Sequence, residues 1–324
     1  MTMHDVAVVG AGWAGLTAAR SLRDEGLDVV VLEKSRGPGG RSATRRQDGF
    51  AFDHGAQYFT ARDPAFSRQV EVWREAGLVA AWQPRLRVVG SRPDDAGSRP
   101  AERLVALPGM NGVAGALADG LDCRFGWAVE AIGFDGHWTL GNGEGETLSA
   151  RKLVLTPPPR QSAALLGENH PLFATLDAVV MTPCLALMVG FDEPLAVDFD
   201  AAFINRGPLS WLARNSSKPG RQGEAWVAHA SADWSRRHLD CDPETIAGKL
   251  LPEVLGLLPE GGGREPALVH AHRWRYAMAP EPLERSVLIS EDDGAVLAGD
   301  WCAGNRIEGA WRSGRAAADS LKKL

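Results

Sequence analysis

The chain reads as an α/β protein with a second, mixed α+β domain, on three observations. Residues 6–9 (VAVV) and 29–32 (VVVL) are unbroken apolar runs, as in strands buried on both faces of a parallel sheet. Between them Gly15, Ala18, Ala19 and Leu22 recur at i, i+3, i+4 and i+7, which lays one helical face on that sheet; Gly26 ends the helix. After residue 160 helical segments mix with strands, which predicts a second domain built on an antiparallel sheet.

The turn joining the first strand to its helix is Gly10-Ala11-Gly12-Trp13-Ala14-Gly15, a G-x-G-x-x-G fingerprint in its expected context. Gly10 permits the tight turn, Gly12 lets backbone approach a pyrophosphate, and Gly15 lets helix and strand pack closely. The helix N-terminus offers unpaired N–H groups and a positive dipole end to phosphates. Glu33 closes the second strand, where a carboxylate accepts hydrogen bonds from an adenosine ribose. The same charge repels a 2′-phosphate, so the site favours FAD or NAD over NADP. These features predict a Rossmann-type dinucleotide-binding domain. Residues 34–41 (KSRGPGGR) form a glycine-rich basic loop beside the phosphates, in which Arg41 could pair with a phosphate through two N–H groups.

Residues 66–76 predict an amphipathic helix through Phe66, Val70 and Trp73, and 85–89 a strand; 91–99 (SRPDDAGSR) is turn-rich and charged, an exposed loop. In the stretch 50–60, His54 reads as a structural histidine, while Gln57 and Tyr58 stand beside a flexible Gly55 and are better placed to touch a ligand. Strands follow at 104–107 and 125–132, with an alanine-rich helix to Ala118 between them. Residues 137–140 and 147–148 suggest a small meander, and 153–155 is again wholly apolar before the proline run 157–159, a plausible domain crossing. Helices are expected at 161–166 and 242–258, and strands at 185–191 and 224–230. The domain reading is therefore 1–70, 100–160 and 276–324 for the cofactor, with 71–99 and 161–275 for the substrate.

The last segment is the most informative after the first. Residues 295–298 form a short buried strand ending in Gly299-Asp300, and a helix runs over 307–321, with Asn305 and Glu308 spaced as a capping box. A second strand ending in a carboxylate returns charge to the same nucleotide. In FAD it can hold ribityl hydroxyls, which NAD lacks, so FAD is the better reading. The helix N-terminus can then face the flavin edge that gains negative charge on reduction.

Composition bounds the rest. The 324 residues are 44% hydrophobic and 23% charged, with a net charge of −6, so neither nucleic acid nor an anionic membrane is an evident partner. No apolar run approaches the ~20 residues that span a bilayer, and the first strand leaves no room for a signal peptide. Four scattered cysteines without a CxxC pair suggest a reducing cytoplasm, and no Cys/His spacing suggests a metal. Eleven tryptophans against two tyrosines suit a planar ring system, although most will be core.

The fingerprint, residues 36–41 and Gly299-Asp300 together resemble the FAD-dependent amine-oxidase-like flavoproteins. Within these the chain resembles the bacterial renalases over nearly its whole length, most narrowly in 53–63 (DHGAQYFTARD), 211–219 (WLARNSSKP), 272–276 (HRWRY), 299–302 (GDWC) and 306–311 (RIEGAW). The resemblance implies a two-domain FAD enzyme of p-hydroxybenzoate-hydroxylase topology. It also implies an activity: oxidising 2- or 6-dihydro isomers of NAD(P)H to NAD(P)⁺, with electrons passing through flavin to O2 to give H2O2. By the same analogy the Val129 backbone meets the adenine. The flavin is non-covalent for want of the family's cysteine-linkage segment, with Cys302 the one thiol near the ring.

The cofactor contacts expected are Gly10, Ala11, Gly12, Trp13, Ala14, Gly15, Glu33, Lys34, Ser35, Gly40, Arg41 and Gln57. The C-terminal segment adds Gly299, Asp300, Arg306, Ile307, Glu308 and Ala310. Losing hydride turns a dihydropyridine into an aromatic pyridinium with no proton to remove, so no catalytic side chain is required; stacking and orientation suffice. Gln57, Tyr58, Asn215, Trp234, Trp274, Tyr276 and Trp301 could supply these, with His272 and Arg306 as polar anchors. Two other readings stay open: an amine oxidase with an aromatic cage, and a flavin-binding scaffold without turnover.

Overall fold

Two sheets of opposite character divide the molecule. In the computed structural model, which describes residues 3–90, 101–258 and 263–324, the expected loop 91–99 falls outside the described residues. The first sheet runs, in spatial order, Leu288–Ser290, Ala295–Leu297, Thr147–Leu155, Met3–Val9, Val29–Glu33 and Asp122–Phe125. Its central pairings are parallel: Val9 lies opposite Leu32 on one side and Leu155 on the other. The first strand is apolar because both its faces are covered, and Val6, Ala7 and Val8 are all but inaccessible.

Helices Trp13–Asp24 and Ile307–Leu321 pack together on one face of that sheet. They approach closely enough that a Cβ on Gly314 would overlap the Ala14 carbonyl, so glycine is required there by proximity. The antiparallel meander Ala131–Phe134, Trp138–Gly141 and Thr147–Leu155 branches from the sheet. Thr147–Leu155 is one continuous strand that joins two runs the sequence separates.

The second sheet has the order Leu268–Met278, Thr182–Phe191, Glu224–Ala230, Leu209–Arg214, Ala201–Ile204 and Leu86–Val89. It is antiparallel except at its last pair, where Leu86–Val89 joins from far upstream. Leu185, Leu187, Val189, Trp226 and Ala228 face the helix Pro243–Leu255, whose Ile246, Leu250 and Val254 complete a core on that side. The period-2 alternation of the strands leaves their other face toward the first sheet.

Three local expectations are corrected. Residues 126–130 are not a strand: Gly126 takes a left-handed φ of 75° and turns the chain, so that 125–132 splits between the ends of two strands. The proline run does not halt structure at Pro159, which opens the helix Pro159–Leu166 at the position where a missing N–H costs nothing. The capping box does not form. The N-cap of Ile307–Leu321 is Arg306 without a side-chain bond; Asn305 Oδ1 accepts from Ala279 N, and Glu308 Oε2 from Arg62 N.

Candidate active site

The strand ends of the first sheet converge on the fingerprint turn. Gly10 has φ 101°, and a Cβ there would overlap the Thr156 hydroxyl, which donates to Val9 O at 2.7 Å. A Cβ on Gly15 would overlap the Gly10 carbonyl, whereas one on Gly12 meets nothing within 4 Å and would fill the open trough above the turn. Gly39 N donates to Ala11 O at 2.9 Å, and Gly40 lies against Gly12. Trp13 Nε1 holds the same loop through Ser42 Oγ at 2.8 Å. The two glycine-rich turns therefore interlock as one backbone-lined cradle, with Ala14 packed beneath it.

Glu33 is buried, with Oε2 accepting from Ala11 N and Oε1 from Ser35 N, both at 2.8 Å. Each oxygen keeps a lone pair for a ribose hydroxyl. Trp127 N donates to Glu33 O at 3.0 Å, which draws the segment carrying Val129 alongside, while Lys34 is exposed.

At the other end of the cradle Asp300 meets Arg41 in a bidentate pair, at 2.9 and 2.6 Å. Arg41 Nη1 also donates to Ala277 O at 3.0 Å. The guanidinium expected at a phosphate is thus directed to a carboxylate, and one contact ties together the glycine loop, the C-terminal strand and the second sheet. Ile307 and Ala310 lie partly buried in the first turn of the terminal helix, and a Cβ on Gly309 would overlap Gly304 O. An open trough at Gly12, a carboxylate with free lone pairs at Glu33 and another at Asp300 are what FAD requires.

Opposite the cradle the edge strand Leu268–Met278 carries His270, His272 and Trp274 on alternate positions of one face, and a register shift beyond Trp274 breaks that alternation before Tyr276. His54 seats on them: its ring stacks on Trp274 at 4.9 Å and meets His272 edge-on at 4.6 Å. The His54 carbonyl accepts from Trp274 Nε1 at 3.0 Å and bonds His229 Nε2 at 3.1 Å. In register, Ala186 stands between His229 and His272, and Trp211 lies beyond His229, making a row across the sheet. Gly55 is not a flexible hinge; a Cβ there would overlap the Arg41 carbonyl and press on Trp274.

Burial lowers these imidazoles. His54 and His229 fall to about 4 and His272 to about 3, with neighbouring positive groups adding to the effect. The wall is therefore neutral at pH 7. An imidazole in the unfolded chain takes up its proton near 6.5, so between about 6.5 and 4 the unfolded state binds more protons. Stability should fall by about 2 kcal/mol or more from pH 7 to pH 5; denaturant titrations at the two values read it, and equal midpoints would contradict the neutral wall.

Several expected contacts lie elsewhere. Gln57 and Asn215 are buried in a polar cluster around Asp53: Gln57 Nε2 donates to Asp53 O, and Lys218 Nζ donates to Gln57 Oε1 at 3.2 Å and Asn215 Oδ1 at 2.9 Å. Trp234 sits in the helix-side core and stacks on His238 at 3.9 Å. Trp301 is wholly buried in the first domain's core, as is Cys302, whose thiol burial pushes up to about 12. Tyr58 joins Trp82 and Trp211, with ring centroids at 6.0 and 5.9 Å, next to the His229 end of the wall. The residues that sequence reasoning passed over are His229, Lys218 and Arg221. A lysine and an arginine just after a mostly apolar strand were the available signal.

Comparison with known proteins agrees with this geometry. The pattern for the NAD(P)-binding Rossmann-like domain matches residues 8–73, and that for the flavin containing amine oxidoreductase family matches residues 74–322. Cyclohexylamine oxidase from Brevibacterium oxydans IH-35A superposes with a TM-score of 0.76 at 15% identity, covering 99% of each chain. Putrescine oxidase bound to putrescine gives 0.67 at 15%, again over 99% of each. Among curated proteins, carotenoid 3,4-desaturase of Haloarcula japonica is 48% identical over 60 residues, 18% of this chain and 12% of that protein. The zeta-carotene-forming phytoene desaturase of Myxococcus xanthus is 39% identical over 90 residues, 28% of this chain and 14% of its own. The matches thus span only a small part of those relatives' length. The chain belongs to the flavin containing amine oxidoreductase family, and its cofactor is FAD.

Proposed function

We propose that this flavin-dependent oxidoreductase takes hydride from the 2- or 6-dihydro isomers of NAD(P)H, releases NAD(P)⁺ and passes the electrons to O2, giving H2O2. The observation that carries this reading is the composition of the wall. Its cradle-facing positions on three neighbouring strands are Cys184, Ala186 and Met188, then Ala225, Val227 and His229, then His270, His272 and Trp274, with no carboxylate among them. A dihydropyridine needs no base, because its oxidation removes no proton.

Bound FAD supplies the hydride-accepting ring and the route to O2. The chain's own residues do the rest. Trp274 offers a flat face for a nicotinamide ring, while His54 and His272 brace it on two sides. The Arg41–Asp300 pair fixes the strand carrying these rings against the cradle. The N-terminus of Ile307–Leu321 presents a positive dipole end.

Trp274→Ala should raise KM for the dihydro isomers about tenfold, the loss of roughly 1.4 kcal/mol of stacking; steady-state rates decide, and an unchanged KM would remove Trp274 from the site. Peroxide release and NAD⁺ formation, assayed with each isomer and with a panel of primary amines, test the function. Peroxide from the isomers alone supports it. Turnover of amines alone would establish an amine oxidase instead.

A further inference from the structure

We infer that Arg45, together with His270 and His272, forms a subsite for the phosphate-bearing tail of an anionic substrate. The inference rests on the proposed function and extends it from the reacting ring to the far end of the molecule. Arg45 lies in the strand Thr44–Gln47, directly opposite Phe52 of Phe50–Asp53. Opposed residues of an antiparallel pair project to the same side. Phe52 is wholly buried against Met188, Ala225, Val227 and Leu268, on the cradle side of the second sheet. Met188 is in turn the register partner of His270. Arg45 is thereby brought over the His270 end of the wall.

The electrostatics agree with this placement. The positive charge of Arg45 disfavours protonation of His54, His270 and His272 alike. Its Nε donates to the neutral Gln47 Oε1 at 3.2 Å, and among the described residues Arg45 makes no ion pair with a carboxylate. A guanidinium without a carboxylate partner therefore lies beside neutral imidazoles at this end of the wall.

The layout also separates ring from tail. Trp274 and His270 are four residues apart on one strand, about 13 Å at the usual rise. An elongated substrate can place its ring on Trp274 and its phosphates beside His270 and Arg45. A small ammonium substrate would find only repulsion at that end.

The test uses the FAD-loaded protein, its Arg45→Gln variant and its Arg45→Lys variant. Two dihydronicotinamide substrates are compared, the dinucleotide and the phosphate-free riboside of the same isomer. Arg45→Gln should raise KM for the dinucleotide at least tenfold more than KM for the riboside, and Arg45→Lys should restore most of that difference. Equal effects on both substrates, or none, would overturn the subsite. Calorimetric binding of ADP-ribose, and separately of inorganic pyrophosphate, gives a readout that needs no turnover. ADP-ribose binding that weakens with salt and is lost in Arg45→Gln supports the subsite even if no dihydronicotinamide is oxidised, in which case only the functional reading fails. Pyrophosphate bound as well as ADP-ribose would identify the phosphates alone as the ligand. Wild-type protein that binds neither contradicts the inference.

Discussion

Alanine at Asp53 is expected to lower the unfolding free energy by about 3–5 kcal/mol at pH 7, because it strands two buried cations. The carboxylate is inaccessible to solvent and accepts from Thr44 Oγ1 at 2.7 Å, Met110 N at 2.9 Å and Arg221 Nη2 at 2.8 Å, with Lys218 Nζ at 3.4 Å. Burial alone would raise its pKa, but the Lys218 and Arg221 charges outweigh that and hold it at about 2, against 3.8 in the unfolded chain. The carboxylate therefore contributes about 2 kcal/mol that is complete above roughly pH 4 and lost as pH falls through 3.8 toward 2. Adding Lys218→Met to Asp53→Ala should recover part of the loss, since it removes one stranded charge. Urea denaturation of the three proteins decides the matter. A loss below about 1 kcal/mol for Asp53→Ala would show the cluster to be solvated and the account of it mistaken.

Glu33→Ala should weaken FAD binding by about 3 kcal/mol, roughly a hundredfold in Kd. The variant loses both carboxylate oxygens proposed for the ribose and leaves Ala11 N–H and Ser35 N–H without the carboxylate that now orders them. Since Ala11 lies between two fingerprint glycines and its carbonyl receives Gly39 N, the damage spreads to both turns of the cradle. Glu33→Gln should fall between the two, because its amide can still accept one bond but carries no charge. Flavin fluorescence on dilution of the purified variants reads the affinity, and full retention of FAD in Glu33→Ala would exclude the ribose role.

What was legible in the sequence was what depends on short range. The strand Met3–Val9, the helix Trp13–Asp24 and Glu33 follow one another within thirty-odd residues, and apolar runs and glycine spacing specify them locally. The helix Pro64–Glu75 was legible for the same reason, with Phe66, Val70 and Trp73 buried and Asp63 capping it through Ala65 N and Phe66 N. Long-range polar partners were not. Asp53 and Lys218 are 165 residues apart, so nothing near either one signals the other. That blindness is why Gln57 and Asn215, polar and close to aromatic residues, looked free to bind a ligand when both belong to that cluster.

Tertiary contact likewise overrode the capping pattern at Asn305 and Glu308, whose side chains serve Ala279 and Arg62 instead. The tryptophans could not be sorted by type alone. Trp234, Trp274 and Trp301 look equivalent in sequence, yet one faces a helix-side core, one the wall and one the first domain's interior. Strand parity decides Trp274 only once the register with Cys184 is known.

The reaction itself is tested most directly by anaerobic titration of the FAD-loaded protein, following flavin absorbance. Stoichiometric bleaching by the 2- and 6-dihydro isomers of NAD(P)H, with none by ordinary 4-dihydro NADH or by amines, is the predicted result. Bleaching by an amine, with the isomers inert, would contradict it.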